Sequence, residues 1–580
     1  MKYLNTLKGL LLTLLLACTS TVFAHDFEEN GIYYNILSET DKTVEVTYKG
    51  DNAGSFNEYI GVVVIPSTID VNDITYSVNR IGVFAFKGCK DLKSITIPGS
   101  VMEICNSAFD DCTGMQELYL EDCDDPIMCK KEYDSQTVYF FEDSPIESMY
   151  IGRDIINYSF SYGVMQWSKS LKSVVIGYGM TYINNNIFER CYNLASVAIS
   201  NNVKHIGNDA FRSCKGLVEI KLPKELISIG TTAFSSCVQL KSIMIPSNVT
   251  SIGRNAFKAT LELERIIVES DNEVYDSRDN CNAIIETETN TLIKGCKNTI
   301  VPNSIKKIGN NAFNECTNLK SIILPNKVTH IGDYAFWMCN ELCDIKLNSN
   351  PIIGLNAIPA NVICHLVLID SNYANFNANN SNTYTDVSYM RTISEGRFGT
   401  IILPFTPNAK SLENYAFYAL AESGNGYMRF EEVATPVANT PYIYTLREGK
   451  ENVAMTGGVT TISSNIVTPE VDGWQTVGSF TNQALDTSNG NYYAFSPSKN
   501  EINKITKNLT VLPYRAYFKS DNASKSAFSV YISGTTGVKE VLSSEIDGFE
   551  TEVVYDLSGR KILDPVKGGI YIINGKKVKF

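Results

Sequence analysis

The sequence repeats itself every 23 residues, and this period constrains the fold more than any other feature of the chain. Each copy carries an Ile-Gly pair, then Ala-Phe, and in most copies a Cys three residues after the Phe. One complete copy places these residues at Ile206, Gly207, Ala210, Phe211 and Cys214. A fixed period of this length is typical of solenoids, in which each coil stacks on its neighbours. The repeat therefore predicts a mainly β solenoid built from 23-residue coils.

The phenylalanine of each copy marks the register along the chain. These residues are Phe86, Phe109, Phe188, Phe211, Phe234, Phe257, Phe313 and Phe336. Two steps between them are 79 and 56 residues long, each ten more than a whole number of periods. They indicate coils with insertions near residues 121–165 and 269–303. Such an insertion is either part of a partner-binding surface or a tolerated loop or hairpin.

Within one repeat, Ile243 and Ile245 alternate with other positions, which is the pattern of a half-buried strand that ends at Pro246. Equivalent strands of successive coils should pair in parallel, about 4.8 Å apart. The residues between the buried positions should then form an outward row, with Thr96, Tyr119, Met244, Ile323 and Lys346 among its members. This mixed row is compatible with a protein-binding face and also with a plain spacer.

The pattern L-x-x-I-x-I-P-x-x-V-x-x-I-G-x-x-A-F-x-x-C, over about residues 80–365, resembles the leucine-rich repeats of BspA-like bacterial surface proteins. The resemblance implies a right-handed solenoid with a parallel sheet along one face. It also implies export, and often adhesion to host proteins such as fibronectin or fibrinogen. Residues 274–285 resemble a recurring insert of this family. The resemblance transfers no binding residues to this chain.

The sequence patterns outside the repeats also predict β structure. Residues 25–79 contain strand-like segments and should cap the N-terminal end of a solenoid that spans residues 80–370. Residues 391–535 contain short strand patterns separated by Gly, Pro and Asn, which predicts an all-β, sandwich-like domain. Residues 538–580 are predicted to form a small C-terminal β unit.

This C-terminal unit has a hairpin pattern centred on Asn574 and Gly575, a favoured two-residue turn. Together with the strand pattern at residues 553–562, it resembles the C-terminal sorting domains of Bacteroidetes type IX secretion. The resemblance implies a sorting function. The alternative is a small β module that stays on the protein.

The first 24 residues have the organisation of a signal peptide, with a basic start, an apolar segment and a cleavage site after Ala24. An alternative reading is a lipobox that would place a lipid anchor on Cys18. In both cases we expect a bacterial protein that is secreted or held at the outer cell surface. No later stretch is long and apolar enough to predict a transmembrane helix.

Composition and motifs argue against several classes of function. The formal net charge of -13 disfavours nucleic acid and anionic membranes as partners. The sequence has no zinc-ligand spacing, phosphate-binding loop or nucleophile elbow, so it predicts no catalytic, metal or cofactor-binding residues. Residues 124–125 and 276–279 could hold calcium, but we interpret them as solvated acidic loops. The four histidines are scattered: His25, His205, His330 and His365.

Seven of the 15 cysteines occupy one position of the repeat: Cys89, Cys112, Cys191, Cys214, Cys237, Cys316 and Cys339. Thr260 takes this position in another coil, so we expect the site to require packing volume and to hold buried free thiols. Disulfides between neighbouring coils are the alternative. Better disulfide candidates are the pairs Cys123/Cys129, Cys281/Cys296 and Cys339/Cys343.

These observations predict an exported, non-enzymatic leucine-rich repeat protein that binds an extracellular protein or glycan. The resemblance to BspA-like proteins implies that this binding serves adhesion. An alternative is a structural spacer or display stalk whose sandwich-like domain carries the binding site. An enzyme acting on surface glycans is a third hypothesis, which only the expected compartment supports.

Overall fold

A computed structural model describes residues 25–50, 53, 57–130, 141, 144–157, 165–370, 381–394, 396–496, 501–521 and 525–533. Beyond residue 533 it describes only the strands β46 to β50, whose bounds are given below. The predicted signal peptide and lipobox, residues 1–24, lie outside the described residues, as do residues 131–140 of the first insertion.

Six strands precede the first complete repeat. They are β1 (Phe27–Glu29), β2 (Ile32–Ser38), β3 (Thr43–Thr47), β4 (Gly61–Val64), β5 (Thr68–Val71) and β6 (Ile74–Ile81). Short strands then follow through the repeats and their insertions. They are β7 (Leu92–Ile97), β8 (Glu103–Cys105), β9 (Glu117–Leu120), β10 (Ile127–Lys130), β11 (Ser148–Arg153), β12 (Ile155–Asn157), β13 (Ser173–Gly179), β14 (Tyr182–Ile183), β15 (Ser196–Ile199), β16 (His205–Ile206), β17 (Ser228–Ile229), β18 (Ser242–Ile245), β19 (Ser251–Ile252), β20 (Arg265–Val268), β21 (Tyr275–Asp276), β22 (Ala283–Glu286), β23 (Thr291–Gly295), β24 (Lys307–Ile308), β25 (Ser321–Leu324), β26 (His330–Ile331), β27 (Asp344–Leu347), β28 (Ile352–Ile353), β29 (Ile363–Ile369), β30 (Thr383–Tyr384) and β31 (Asp386–Met390), with a 3-10 turn at Arg278–Asn280.

The remaining elements form the C-terminal β domain and the last strands. They are β32 (Phe398–Ile402), the helix α1 (Ala409–Asn414), β33 (Tyr415–Gly424), β34 (Tyr427–Glu432), β35 (Pro441–Leu446), β36 (Met455–Gly457), β37 (Thr460–Thr461), β38 (Glu470–Val471), β39 (Trp474–Ser479), β40 (Gln483–Leu485), β41 (Tyr492–Ser496), β42 (Glu501–Lys504), β43 (Leu509–Val511), β44 (Arg515–Lys519), β45 (Ala527–Ser533), β46 (Lys539–Glu540), β47 (Val554–Tyr555), β48 (Lys561–Ile562), β49 (Ile570–Ile573) and β50 (Lys576–Lys579).

Two rows of parallel strands run along the solenoid. The first row, which we call the main sheet, consists of β4, β7, β9, β11, β13, β15, β18, β20, β25, β27, β29 and β31. The second row consists of β6, β8, β10, β12, β14, β16, β17, β19, β24, β26 and β28. Val174 lies opposite Val197 in the main sheet, and Ile206 lies opposite Ile229 in the second row. This 23-residue offset between paired strands confirms the predicted solenoid.

The repeat phenylalanines form a stacked ladder through the core. Ring centroids are 5.3 Å apart between Phe211 and Phe234, and 5.5 Å apart between Phe234 and Phe257. The first long step is also filled, because Phe141 packs 5.1 Å from Phe109. Met165 occupies the next phenylalanine position of the ladder. Its carbonyl accepts a hydrogen bond from the Cys191 thiol, as the phenylalanine carbonyls of other coils accept one from their ladder cysteines. The ten extra residues therefore change the spacing of the repeat in the sequence, but the stack of core side chains continues through the insertion.

The ladder cysteines are buried hydrogen-bond donors. The Cys237 thiol donates to the Phe211 carbonyl of the preceding coil at 3.2 Å, and Cys339 donates to Phe313 at 3.0 Å. Burial raises the pKa of Cys237 to about 12. All fourteen described cysteines are free thiols, so none of the three candidate pairs forms a disulfide in this structure. The cysteine position of the repeat therefore provides a hydrogen bond between neighbouring coils as well as packing volume.

The glycine of each Ile-Gly pair allows neighbouring coils to approach closely. A Cβ on Gly253 would lie 2.3 Å from the Thr231 nitrogen and 2.5 Å from the Gly230 carbonyl carbon. The left-handed residue of this turn is instead Asn255, at a φ of 58°. Backbone contact between coils is therefore the reason for this glycine.

The second insertion is an antiparallel meander, in which β22 pairs with both β21 and β23. β23 then pairs in parallel with β24, so that Leu292 lies opposite Ile308 and the second row resumes. The Gly295 amide donates to the Ala312 carbonyl, just as the Phe313 amide donates to the Ala335 carbonyl. Gly295 therefore occupies the phenylalanine position of its coil, and the aromatic ladder has a gap there.

Both ends of the solenoid are covered by antiparallel strands. At the N-terminal end, β1, β2 and β3 form an antiparallel unit, and β3 pairs in parallel with β6. At the other end, β31 extends the main sheet past residue 370 and is covered by β36 from the C-terminal domain. β37 covers β30 in the same way. Strands that are distant in sequence therefore protect the C-terminal edge, which would otherwise expose unpaired backbone groups.

The C-terminal β domain is one large sheet that curls back on itself. Its strand order is β32-β35-β33-β34-β45-β42-β41-β44-β39-β38. The curl brings β32 near β44, where the Ala516 amide donates to the Thr400 hydroxyl at 3.1 Å. Buried residues of this domain, including Phe405, join one apolar cluster with Leu366 and Tyr389 of the solenoid. The two parts of the chain thus share a core.

Near the C-terminus, β49 and β50 pair antiparallel with Ile573 opposite Lys576, as the predicted hairpin requires. The predicted turn residues Asn574 and Gly575 lie outside the described residues. Among the residues whose structure is described, no helix is long and apolar enough to cross a membrane.

Candidate binding surface on the main sheet

One line of outward-facing side chains follows the main sheet from β4 to β29. In its first six strands these residues lie directly opposite one another, as the strand register shows: Val64, Thr96, Tyr119, Tyr150, Val175 and Ala198. The same position holds Lys221, Met244, Ile267, Ile323, Lys346 and His365 in later coils. We call these twelve residues the exposed row.

Strand alternation explains why these side chains face solvent. In β9, Leu118 and Leu120 are buried in the core, whereas Tyr119 between them is 42% exposed. Successive side chains of a strand point to opposite faces, so one face of each strand is left to solvent. The 23-residue period then repeats this exposed position in every coil.

The centre of the N-terminal half of the row is a stacked pair of tyrosines. The rings of Tyr119 and Tyr150 lie 4.3 Å apart at an angle of 11°. The Tyr150 hydroxyl donates to Asp122 at 2.7 Å, and Asp122 also accepts the Tyr178 amide at 3.0 Å. Burial and the hydrogen bond to Asp122 raise the pKa of Tyr150, which keeps it a neutral donor. The pair is therefore held in place before any ligand arrives.

Exposed aliphatic residues flank the tyrosines. Val62 and Val64 on β4 are 71% and 60% exposed, and Val175 beyond the tyrosine pair is 43% exposed. The partly exposed Thr96 lies between Val64 and Tyr119 in this row. Clusters of exposed apolar side chains often mark interaction sites. Aromatic residues are also enriched in protein interfaces. This end of the exposed row therefore has the chemistry of a protein-binding face.

The C-terminal end of the row is charged. His365 lies between two carboxylates, 3.5 Å from Asp344 through Nε2 and 3.3 Å from Asp386 through Nδ1. Lys346 stands beside it in the adjacent strand. The exposed row thus changes from apolar and aromatic to charged along the sheet.

The predicted outward residues all belong to this row: Thr96, Tyr119, Met244, Ile323 and Lys346. Sequence reasoning missed Val64, Tyr150 and Val175. The 23-residue spacing does not identify Tyr150, because the first insertion lengthens the segment between Tyr119 and Tyr150. Met149 and Ile151 are apolar on either side of Tyr150, in the same pattern as in the neighbouring strand β9. This alternation would have predicted that Tyr150 faces outward.

The acidic segments considered for calcium have structural partners. Arg278 donates from Nε to Asp276 at 2.8 Å, and its guanidinium also bonds Asn290 at 2.8 Å. Arg153 is buried and donates to the Asp125 carbonyl at 2.9 Å, which anchors the loop of the first insertion. Within the described residues, no three His, Cys, Asp or Glu side chains are grouped so that they could hold a metal ion.

The histidines of the repeat lie in the second row of strands. His205 is partly exposed, with Nδ1 2.8 Å from the Ser228 hydroxyl, and His330 is exposed beside Thr329. His25, near the N-terminal end, packs its ring 4.7 Å from Tyr33. These distributed positions do not form a site together with His365.

Several solved structures are similar to this chain. A leucine-rich repeat protein from Bacteroides ovatus ATCC 8483 is 25% identical over 60% of this chain and 95% of its own, with a TM-score of 0.35. A leucine-rich cell surface protein from Faecalibacterium prausnitzii A2-165 is 21% identical over 63% and 95%, with a TM-score of 0.29. The pneumococcal vaccine antigen PcpA is 16% identical over 60% and 94%, with a TM-score of 0.28. The comparison with curated proteins gives no match.

The family comparison covers most of the repeats. The model described as "BspA type Leucine rich repeat region" matches in six copies, over residues 67–130, 153–285 and 285–419. These ranges include the strands of both rows except β4 and most of β11, and they reach into the C-terminal β domain. With more than half of its length matched in this way, the chain belongs to the BspA-type leucine-rich repeat family.

Proposed function

We propose that this protein is exported to the bacterial surface or secreted, and that it binds an extracellular protein through the apolar half of the exposed row. The stacked pair of Tyr119 and Tyr150 between exposed valines is the observation that carries the proposal. Family membership supports a binding or adhesion role. Export is supported by the signal-like pattern of residues 1–24.

The side chains of this face suit a protein ligand. Binding energy at protein interfaces concentrates in a few desolvated residues, and tyrosine is enriched among them. Two tyrosines already held by stacking and by Asp122 lose little conformational freedom on binding. The aliphatic rim of Val62, Val64 and Val175 would exclude water around them.

The shared core determines how the proposal should be tested. Removing the C-terminal β domain would uncover β31, because β36 pairs with it, and would divide the apolar cluster around Tyr389. Fragments are therefore unsuitable, and substitutions in the full mature chain are the sharper test. A double variant with Tyr119→Ser and Val175→Ser removes exposed apolar surface while leaving the buried face of both strands intact.

The measurement is binding of fluorescently labelled protein to a panel of immobilised extracellular-matrix proteins and glycans. We expect the wild-type chain to bind at least one protein, and the double variant to bind it at least about tenfold more weakly. Tyr192→Ser is the matched control, because Tyr192 is also partly exposed but lies outside the exposed row.

Unchanged binding by the double variant would reject the exposed row as the binding face and favour a spacer whose C-terminal β domain binds. Binding restricted to glycans would contradict the protein ligand. Cleavage of a panel polysaccharide would contradict a purely binding role.

A further inference from the structure

A cavity opens where the second insertion interrupts the stacking of the coils. Ile252, Asn255 and Phe257 of the last regular coil line it, and so does Ile284 of the meander. Its volume is about 220 Å³. This equals roughly seven water molecules at ~30 Å³ each, so main-chain atoms fit more readily than large side chains. The cavity therefore offers space beside the backbone of that coil, where the next coil would otherwise stack.

Three backbone groups of a regular coil bond to the coil that follows it. They are the carbonyl of the Ile-Gly isoleucine, the amide two residues before the ladder phenylalanine, and the amide of that phenylalanine. In the coil of Phe211 the three bonds run from the Gly230 amide to the Ile206 carbonyl at 2.8 Å, from Asp209 to Thr231 at 3.0 Å and from Phe211 to Ala233 at 2.8 Å. The coils of Phe188, Phe234 and Phe313 make the same three bonds.

The corresponding groups of the Phe257 coil face the cavity. The carbonyls directly before the Asn255 and Phe257 amides accept hydrogen bonds from the preceding coil. A trans peptide places its carbonyl and its amide on opposite sides, and these peptides are trans, so both amides point away from that coil. The Gly253 amide donates to the preceding coil, so the Ile252 carbonyl points away from it by the same geometry. All three groups are therefore directed towards the cavity that their residues line.

These three groups have no partner in the described part of the chain. Neither amide donates a hydrogen bond, and no group donates to the Ile252 carbonyl. The insertion replaces the missing coil at one group only, because the Tyr275 hydroxyl accepts the Ile252 amide at 3.1 Å. Phe257 is only 2% exposed, and buried backbone groups are almost always paired in proteins. The cavity therefore presents two donors and one acceptor to a ligand or to ordered water.

A peptide backbone carries the complementary groups in the same order. Four consecutive residues offer the amide of the first residue to the Ile252 carbonyl. They offer the carbonyls of the second and fourth residues to the Asn255 and Phe257 amides. Residues 207–210 make this set of bonds to the coil before them, at 2.8, 2.9 and 3.0 Å. A peptide of this length therefore matches the place of the missing coil.

The regular coils also show which residues such a peptide needs. Its first residue corresponds to a repeat glycine, and a Cβ on Gly230 would lie 2.5 Å from the Gly207 carbonyl carbon. Its third residue corresponds to Asp209, which has a left-handed φ of 55°. Glycine, asparagine and aspartate adopt that conformation more readily than other residues. The matching pattern is therefore glycine first, with aspartate, asparagine or glycine in the third position.

The charged residues around the cavity favour an acidic peptide. Three lining residues are cationic and one is acidic, namely Arg254, Lys258, Lys294 and Glu286. Arg254 is exposed, and Lys258 lies 3.9 Å from Glu315. Exposed charges contribute little energy, so they bias the choice of side chain while the backbone groups supply the main contacts. Aspartate in the third position satisfies both the charge and the backbone conformation.

We propose that this cavity binds a short peptide segment of another protein through its backbone, in the place of the missing coil, with the pattern Gly-x-Asp-x preferred. The segment adds its main chain to the exposed backbone groups, as in other proteins that bind an added strand. The cavity lies beside the second row of strands and the meander, so it is separate from the exposed row and does not depend on the function proposed there.

Isothermal titration calorimetry of the full mature chain tests the proposal. The probe is acetyl-Gly-Asn-Asp-Ala-amide, which copies residues 207–210. Its control has N-methylglycine in the first position, which removes the donor to the Ile252 carbonyl. We expect the probe to bind at millimolar concentration or below, and the control to bind at least about tenfold more weakly. No binding of the probe at millimolar concentration would overturn the proposal and leave ordered water as the occupant. Equal affinity of the two peptides would reject recognition through the backbone.

Hydrogen exchange shows where the peptide binds. Unpaired amides exchange faster than paired ones, so the Phe257 amide of the free protein should exchange at least about tenfold faster than the Phe234 amide. The probe should slow exchange at Asn255 and Phe257 and leave Phe234 unchanged. Mass spectrometry with single-residue fragmentation measures these rates. Binding of the probe without protection of Asn255 and Phe257 would reject this cavity as the site.

A charge variant tests the preference for an acidic side chain. Arg254→Glu should weaken binding of the probe about threefold and leave binding of acetyl-Gly-Asn-Asn-Ala-amide unchanged. Arg265→Glu is the matched control, because Arg265 is also exposed but lies on β20, away from the cavity lining. Circular dichroism confirms that each variant is folded. The same loss for both peptides in Arg254→Glu would contradict the charge preference.

Discussion

The guanidinium group of Arg515 donates two hydrogen bonds to the carboxylate of Asp370, at 2.6 and 2.7 Å, across 145 residues of sequence. Asp370 directly follows the solenoid strand β29, and Arg515 begins β44 of the C-terminal β domain. The Tyr389 hydroxyl donates to the same carboxylate at 2.6 Å. Both charged side chains are largely buried, so this pair joins the two parts of the chain beside their shared core.

Asp370→Asn should lower the free energy of unfolding by about 2–4 kcal/mol at neutral pH, because it leaves Arg515 largely buried without a charged partner. Urea denaturation followed by circular dichroism measures this loss. The matched control is Lys172→Met, which removes an exposed ion pair with Glu147 and should cost less than about 1 kcal/mol. Equal losses in the two variants would show that the buried pair does not stabilise the junction.

The ion pair between Asp370 and Arg515 should also make the free energy of unfolding depend on pH in the acidic range. Desolvation by itself would raise the pKa of Asp370, but hydrogen bonds from Arg515 and Tyr389 outweigh it, and the pKa is lowered. The stabilisation is therefore complete above the unfolded value of about 3.9 and is lost as pH falls through the lowered value. The difference between wild type and Asp370→Asn should shrink over that range. A constant difference down to strongly acidic pH would contradict the assignment.

Gly295→Ala should destabilise the second insertion, because the new Cβ would lie 2.2 Å from the Phe313 ring. Overpacking of this kind costs about 1–3 kcal/mol. Gly458→Ala is the control, since a Cβ there has no neighbour within 4 Å. Thermal unfolding of both variants should show a lower midpoint only for Gly295→Ala, and a similar decrease in both would remove the explanation for this glycine.

Alkylation should separate the exposed cysteine from the ladder. Cys343 is exposed, whereas Cys237 is fully buried and burial raises its pKa to about 12. Thiolates are the reactive species, so iodoacetamide at about pH 8 should modify Cys343 long before Cys237. Peptide mass spectrometry of native and denatured protein measures both rates. Equal native rates would mean that the coils open readily.

Lys294→Met should stabilise the protein by about 1–4 kcal/mol at neutral pH, since it replaces a largely buried charge with an apolar side chain. Desolvation lowers the folded-state pKa of Lys294, so the folded chain binds fewer protons than the unfolded chain. The penalty is therefore largest below the folded-state pKa and fades as pH rises towards about 10.4. Urea midpoints at pH 7 and pH 10 measure this change, and a gain that grows with pH would contradict it.

The sequence predicted the interior better than the surface. Phe211, Phe234 and Cys237 recur at one spacing because every coil must bury the same positions, so periodicity alone places them in the core. Tyr150 and Gly295 lie where insertions break the count, and only the strand and hydrogen-bond registers show which repeat positions they occupy. The burial of Lys294 likewise depends on neighbours that no local pattern specifies.

The sequence by itself determined the solenoid, the parallel register and the outward side chains of regular coils, because these follow from local spacing and strand alternation. Only the tertiary structure decided the stacked Tyr119 and Tyr150, the gap in the aromatic ladder at Gly295 and the pairing of Asp370 with Arg515. Each of these joins residues whose separation in sequence departs from the repeat. Their proximity results from how the insertions and the C-terminal β domain pack on the coils, and a periodic pattern carries no information about that packing.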